Sequence, residues 1–81
     1  MNSENQSPKD LEIKIFAIWA EILGTSAVTG ESHFFELGGD SLAAINMSAR
    51  VEKLTGIVAP FGIVYNSPFA GQYVCVLLEE S

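Results

Sequence analysis

The run Leu37-Gly38-Gly39-Asp40-Ser41-Leu42 places a serine directly after two glycines and an acid. Paired glycines let the backbone turn tightly and leave open space around the side chain that follows. Asp40 is a good helix N-cap, so Ser41 is expected in the first turn of a helix with its hydroxyl exposed. The free amides and dipole of such a terminus favour an anion, which makes Ser41 a compatible place for a phosphodiester. Residues for catalysis are scarce. No GxSxG elbow surrounds any serine, and His33 is the single histidine, so a hydrolytic triad has only one imidazole to draw on. The single cysteine, Cys75, excludes an internal disulfide, and no CxxC or Cys/His cluster offers metal-ligand spacing. His33 reads as an ordinary loop residue and Cys75 as a small apolar filler on a helix.

The elements that must position Ser41 follow from local signals. Residues 1–6 are polar and aperiodic and read as a disordered tail, leaving residues 7–81 as a single domain. Ser7-Pro8-Lys9-Asp10 supplies a hydroxyl cap, a proline at the first helical position and an acid in the first turn. Leu11, Ile15, Ile18, Trp19 and Ile22 then recur at helical spacing, and Gly24 ends a helix expected to run to about Leu23. Between Thr25 and Gly39 neither helical nor strand periodicity survives, which predicts a long ordered loop. There Phe34, Phe35 and Leu37 are too apolar to leave in water, and the aromatic pair is expected to pin the loop to the core.

The second helix, from Ser41 to about Thr55 with Gly56 as its stop, carries two apolar stripes. Ala44, Met47, Val51 and Leu54 fall on one face, and Leu42, Ile45 and Ala49 on nearly the opposite one. The pattern leaves two readings open: a central helix buried on both sides, or a second stripe exposed as a docking surface beside Ser41. Pro60 and Gly62 then permit only a single turn near Phe61 to Val64. Ser67 and Pro68 repeat the earlier opening signal, predicting a last helix whose inner stripe is Phe69, Tyr73, Val76 and Leu77. The coarse reading is all-α: three longer helices, one short turn and a long loop between the first two helices.

Composition bounds the function. At 81 residues, 48% apolar and 17% charged, the chain is globular and buries a core of modest size. Its net charge of −6 repels a nucleic acid backbone and would steer the surface toward a basic patch on a protein partner. No apolar run approaches the roughly 18 residues of a membrane span, and the start lacks the order of a signal peptide, so a cytoplasmic protein is expected.

Ile18-Trp19-Ala20-Glu21-Ile22-Leu23-Gly24 and Phe34-Phe35-Glu36-Leu37-Gly38-Gly39-Asp40-Ser41-Leu42, with the spacing to Gly56, Pro60 and Asn66-Ser67-Pro68, resemble one family. It is the peptidyl carrier proteins, or thiolation domains, of nonribosomal peptide synthetases, within the acyl carrier superfamily. The resemblance covers nearly the whole chain and implies a small four-helix bundle. It also implies that Ser41 accepts 4′-phosphopantetheine from coenzyme A, with Gly38, Gly39, Asp40 and Leu42 completing the attachment motif. An aminoacyl or peptidyl group would then be held as a thioester on that arm. The stripe Leu42, Ile45 and Ala49 would be visited by a phosphopantetheinyl transferase, an adenylation enzyme and downstream condensation or tailoring enzymes. The carrier itself would be non-catalytic and monomeric. Tyr65 stands where phenylalanine is common in the family, Phe69 replaces a small or polar residue, and Gly71 interrupts the last helix. These departures bear on the packing of the C-terminal third and not on the attachment motif. Met1 and the acidic Glu79-Glu80-Ser81 end suggest an independent protein, and an excised domain given a start codon would look the same.

Two other readings compete. Asp40-Ser41-Leu42 also permits an acyl carrier for fatty-acid or polyketide synthesis, against which Gly39 and the Phe34-Phe35 pair favour the peptide branch. In a different class, Ser41 would be an ordinary cap or phosphorylation site on a helical interaction module.

Overall fold

A computed structural model describes residues 7–80, and the tail expected at residues 1–6 lies outside them. Four helices follow in order: α1 (Pro8–Leu23), α2 (Ser41–Thr55), α3 (Ile63–Asn66) and α4 (Ala70–Glu80). The first two form where local signals direct. Ser7 Oγ accepts the Asp10 amide at the start of α1, and Asp40 accepts the Ala43 amide at the start of α2. Gly24 and Gly56 close these helices at φ 70° and 78°, a left-handed conformation that costs glycine nothing.

Helix α1 packs on α2 and α4, and α3 rests on α4. The centre is aromatic: Trp19 meets Phe34 and Tyr73 edge-on, at ring-centroid distances of 5.3 and 5.4 Å. Ile15, Met47, Val51, Val64 and Leu77 close around them, all buried. Of the α1 stripe, Ile22 is only half-buried.

Several expectations need correction in the C-terminal third. The short helix is Ile63–Asn66 rather than Phe61 to Val64, because Pro60 O takes the Ile63 amide in a turn before it. Helix α4 begins at Ala70, two residues beyond Pro68, and Ser67 instead closes α3 by donating to Ile63 O. The reason lies in the long loop. Pro68 O accepts from Phe34 N, Phe69 bridges His33, and the Ala70 and Gly71 amides donate to Ser32 O and Gly30 O at 2.9 Å. Loop carbonyls thus satisfy the first donors of α4, a task that Ser67 was expected to perform. Phe69 consequently lies outside the helix and is exposed, while Ala70 and Val74 join Tyr73 and Leu77 in the core. Cys75 is exposed too, so it is not an internal filler: two residues from Leu77 is about 200° around a helix, the far side.

Gly71 is explained by the same seam. A Cβ there would sit 3.1 Å from Gly30 O and 3.3 Å from Gly30 Cα, so the loop and α4 meet backbone to backbone. Tyr73 Oη, Ser48 Oγ and Trp19 Nε1 are buried without a hydrogen-bond partner among the described residues. Burial pushes the Tyr73 phenol up to about 12 from its ordinary 10.0, opposed by the nearby Ser48 hydroxyl, which faces it without closing a hydrogen bond of good geometry.

Two measurements test this packing. Alanine is the better helix former by about 1 kcal/mol. Overpacking against backbone costs roughly 1–3 kcal/mol, so Gly71→Ala is expected to lower stability by about 1 kcal/mol in urea unfolding; a gain would show that the loop yields. Tyr73 holds its proton more tightly folded than unfolded, so its contribution is complete below pH 10 and is lost as pH rises through about 12. The stability difference between wild type and Tyr73→Phe should therefore shift by about 1 to 1.5 kcal/mol between about pH 9 and about pH 11, at roughly 1.4 kcal/mol per unit. A constant difference would place the phenol in water.

Candidate functional site

Ser41 occupies the first position of α2, exposed, immediately after its cap. The approach to it is built from the loop. Phe34 is fully buried, and its carbonyl accepts the Gly39 amide at 2.9 Å, folding residues 34–39 into a compact turn. Within that turn Gly38 takes φ 101°, a conformation that side-chain-bearing residues rarely adopt. Gly39 serves a different need: a Cβ there would lie 2.3 Å from the Phe34 ring and 2.7 Å from its carbonyl oxygen. One glycine supplies the turn and the other admits the ring.

Asp40 leaves this turn with extended backbone, and its Oδ1 takes the Ala43 amide at 2.9 Å, so its carboxylate is engaged as a cap. The Ser41 hydroxyl lies at hydrogen-bond distance, 2.8 Å, from the Tyr65 hydroxyl of α3. Tyr65 stacks on Phe35 at 5.2 Å and meets Phe61 edge-on at 6.4 Å. Leu42, Ile45 and Ala49 extend away from Ser41 along the outer face of α2, all exposed, with Leu42 at 68%. Of the two readings of α2, the exposed second stripe is the one found.

Some expected inner residues are not inner. Leu37 is exposed at the loop tip while Phe34 and Phe35 do the anchoring. Leu54 lies outside the core; it lines a groove of about 580 Å³ between α1 and α2 with Ile13, Ala17, Lys14, Arg50 and Lys53. That groove is bordered by the exposed Arg50–Glu21 ion pair and shares no lining residue with the attachment motif. His33 is structural, as read: its Nδ1 accepts the Glu36 amide and its ring sits edge-on to Phe69 at 5.0 Å. Tyr65, whose hydroxyl meets Ser41, was not legible as a site residue. The available signal was a hydroxyl on Tyr65 at a position otherwise suited to phenylalanine.

The residues fit a phosphate ester at Ser41. The oxygen is exposed, it lies at the N-terminus of a 15-residue helix whose dipole favours an anion, and Tyr65 offers a neutral donor. No group of His, Cys, Asp and Glu capable of holding a metal occurs among the described residues.

Comparison with known proteins agrees with this geometry. Residues 14–73 match the family model described as "Phosphopantetheine attachment site". Tyrocidine synthase 2 of Brevibacillus parabrevis is 41% identical over 59 residues, which is 73% of this chain but only 2% of that synthase. Among solved structures, BlmI of Streptomyces verticillus, described as a type-II acyl-carrier-protein involved in bleomycin biosynthesis, superposes with a TM-score of 0.83. It is 30% identical, covering 90% of this chain and 88% of BlmI. A peptidyl carrier protein structure solved with the phosphopantetheine transferase Sfp and coenzyme A gives a TM-score of 0.78 at 25% identity, covering 85% and 90% of the two chains.

The Phe34–Gly39 contact generates a prediction. Gly39→Ala forces a methyl group into an aromatic ring that has no room to retreat, and overpacking of this kind costs roughly 1–3 kcal/mol. The variant is expected at the upper end of that range in urea unfolding, with the Ser41 amide resonance displaced. An unperturbed spectrum would show that Phe34 has another rotamer available.

Proposed function

This chain belongs to the phosphopantetheine attachment-site family, and from that premise we propose that Ser41 is the atom-level site of attachment in a carrier for peptide assembly. The prosthetic group of the family is 4′-phosphopantetheine, joined covalently through a serine hydroxyl. The observation that carries the assignment is the exposed Ser41 hydroxyl at the mouth of α2, directly after a glycine turn. When bound, the arm supplies a thiol that carries an acyl group as a thioester, and the protein supplies attachment, orientation and recognition. Tethering replaces diffusion of free substrate by presentation at high effective concentration.

The chain's own residues divide these tasks. Gly38, Gly39 and Asp40 set the start of α2, and Ser41 provides the nucleophilic oxygen. Leu42, Ile45 and Ala49 form an apolar stripe that the transferase and an adenylating enzyme meet in turn. The net charge of −6 draws partners with basic surfaces, raising encounter rates more than final affinity. The carrier is a substrate of these enzymes and not itself a catalyst. Its single imidazole is occupied with Glu36 and Phe69. The peptide-synthetase relatives favour aminoacyl or peptidyl cargo over the acyl cargo of fatty-acid or polyketide assembly. No helix among the described residues is long and apolar enough to cross a membrane. A cytoplasmic location is part of the same proposal.

Incubation with coenzyme A, Mg²⁺ and a phosphopantetheinyl transferase, followed by intact-mass analysis, is expected to show one phosphopantetheine adduct on wild type and none on Ser41→Ala. A folded wild type that takes no adduct, or an adduct on the variant, overturns the assignment. Charging the loaded carrier with adenylating enzymes and with acyltransferases then decides the cargo class: acceptance of malonyl groups alone defeats the peptide reading.

A further inference from the structure

The hydrogen bond between Ser41 and Tyr65 joins side chains 24 positions apart, and nothing in the folding of α2 or α3 requires it. Tyr65 is 47% exposed, and an exposed neutral hydrogen bond contributes little to stability because water competes for both partners. Yet its geometry is controlled from both ends. On one side Ser41 is fixed to the first turn of a 15-residue helix. On the other, the Tyr65 ring lies between Phe35 and Phe61, Phe35 stands edge-on to Phe34, and Phe34 stands edge-on to buried Trp19. A stack of rings that reaches the core thus aims one phenol oxygen at one serine oxygen.

We propose that Tyr65 is the positioning residue for Ser41, an inference that rests on the reading of Ser41 as the attachment atom. A phenol is a stronger donor than an alcohol, so the pair is more stable with Tyr65 O–H donating to Ser41 Oγ. That direction fixes the serine rotamer and leaves the serine proton free for a base on the transferase. In the transfer, the Oγ–H bond breaks and its proton goes to that base. A bond forms from Oγ to a phosphorus of coenzyme A, and the P–O bond to the nucleotide half breaks, its electron pair leaving with that half. While Oγ carries negative charge, the bond from Tyr65 becomes charge-assisted, so a donor already in place lowers the barrier.

After transfer Oγ is an ester oxygen without a proton. Tyr65 then acts only as donor, and the phosphate oxygens beside it are stronger acceptors than the serine was. No cation stands near Ser41 on its own helix: Arg50 is nine residues along α2 and Lys53 twelve, about 14 and about 18 Å at 1.5 Å per residue. A neutral phenol therefore holds the base of the arm by a bond weak enough to release when the arm enters a partner.

Tyr65→Phe keeps the ring in its stack and removes only the oxygen, and unchanged circular dichroism melting confirms that the fold is retained. Three readings are expected. The kcat for phosphopantetheine transfer from coenzyme A falls about three- to tenfold, with KM within about twofold, since tenfold corresponds to about 1.4 kcal/mol of barrier. The Hα–Hβ couplings of Ser41, which report one rotamer in the unmodified wild type, become averaged. The ³¹P resonance of the loaded carrier shifts between wild type and variant. An unchanged kcat, or a loss carried by KM alone, overturns the positioning role, as do unaltered couplings. An unmoved ³¹P resonance overturns its extension to the loaded form. These failures are separable from failure of the attachment assignment, which would show as an adduct on Ser41→Ala or no adduct on wild type.

Discussion

The close approach of Gly39 to the Phe34 ring is the constraint on which the rest of this structure depends. A buried aromatic side chain sits where any residue other than glycine would place its Cβ, at 2.3 Å from ring carbons. Because Phe34 also contacts Trp19, the turn is nailed to the centre of the bundle. Asp40 emerges from that turn with its carboxylate capping α2, and Ser41 follows, exposed, as the first residue of the helix. Anchoring in the core and exposure at the site are two ends of one short segment, which is how a small domain presents a reactive oxygen without a cleft to hold it.

The loop that delivers this turn is held along its length as well. Backbone bonds from residues 30–34 to residues 68–71 join it to the start of α4, and Gly30 and Gly71 approach as bare backbone. Glycine in a helix costs about 1 kcal/mol in propensity. Here the loss is offset by a contact that a methyl group would obstruct. The loop is therefore ordered by hydrogen bonds and ring packing in a segment that has no regular secondary structure of its own, as expected of long loops that carry function.

Helix α2 shows how a chain of this size serves two surfaces. Ala44, Met47 and Val51 enter the core, while Leu42, Ile45 and Ala49 remain in water on the opposite face. Leu42 adjoins Ser41 in sequence, the Tyr65 hydroxyl meets it across the fold, and Phe61 lies against the Tyr65 ring in turn. The cations Lys14, Arg50 and Lys53 collect instead around the groove between α1 and α2, beside its own apolar residues Ile13 and Leu54.

Local chemistry alone determined the ends of α1 and α2, because caps and left-handed glycines act within four residues: Ser7, Gly24, Asp40 and Gly56 perform as their types dictate. The same holds for the glycine turn and for the exposure of Ser41, and the family likeness followed from those residues. Tertiary structure decided whatever depended on partners distant in the chain. The start of α4 moved to Ala70 because loop carbonyls, some 38 to 41 positions earlier, supplied what Ser67 signals locally. Leu54, Phe69 and Cys75 stayed outside the core, since periodicity names a face but not whether a neighbour covers it. The contact of Tyr65 with Ser41 belongs to this second class. A hydrogen bond between side chains 24 residues apart leaves no periodic trace, and only packing of the aromatic stack brings the two oxygens together.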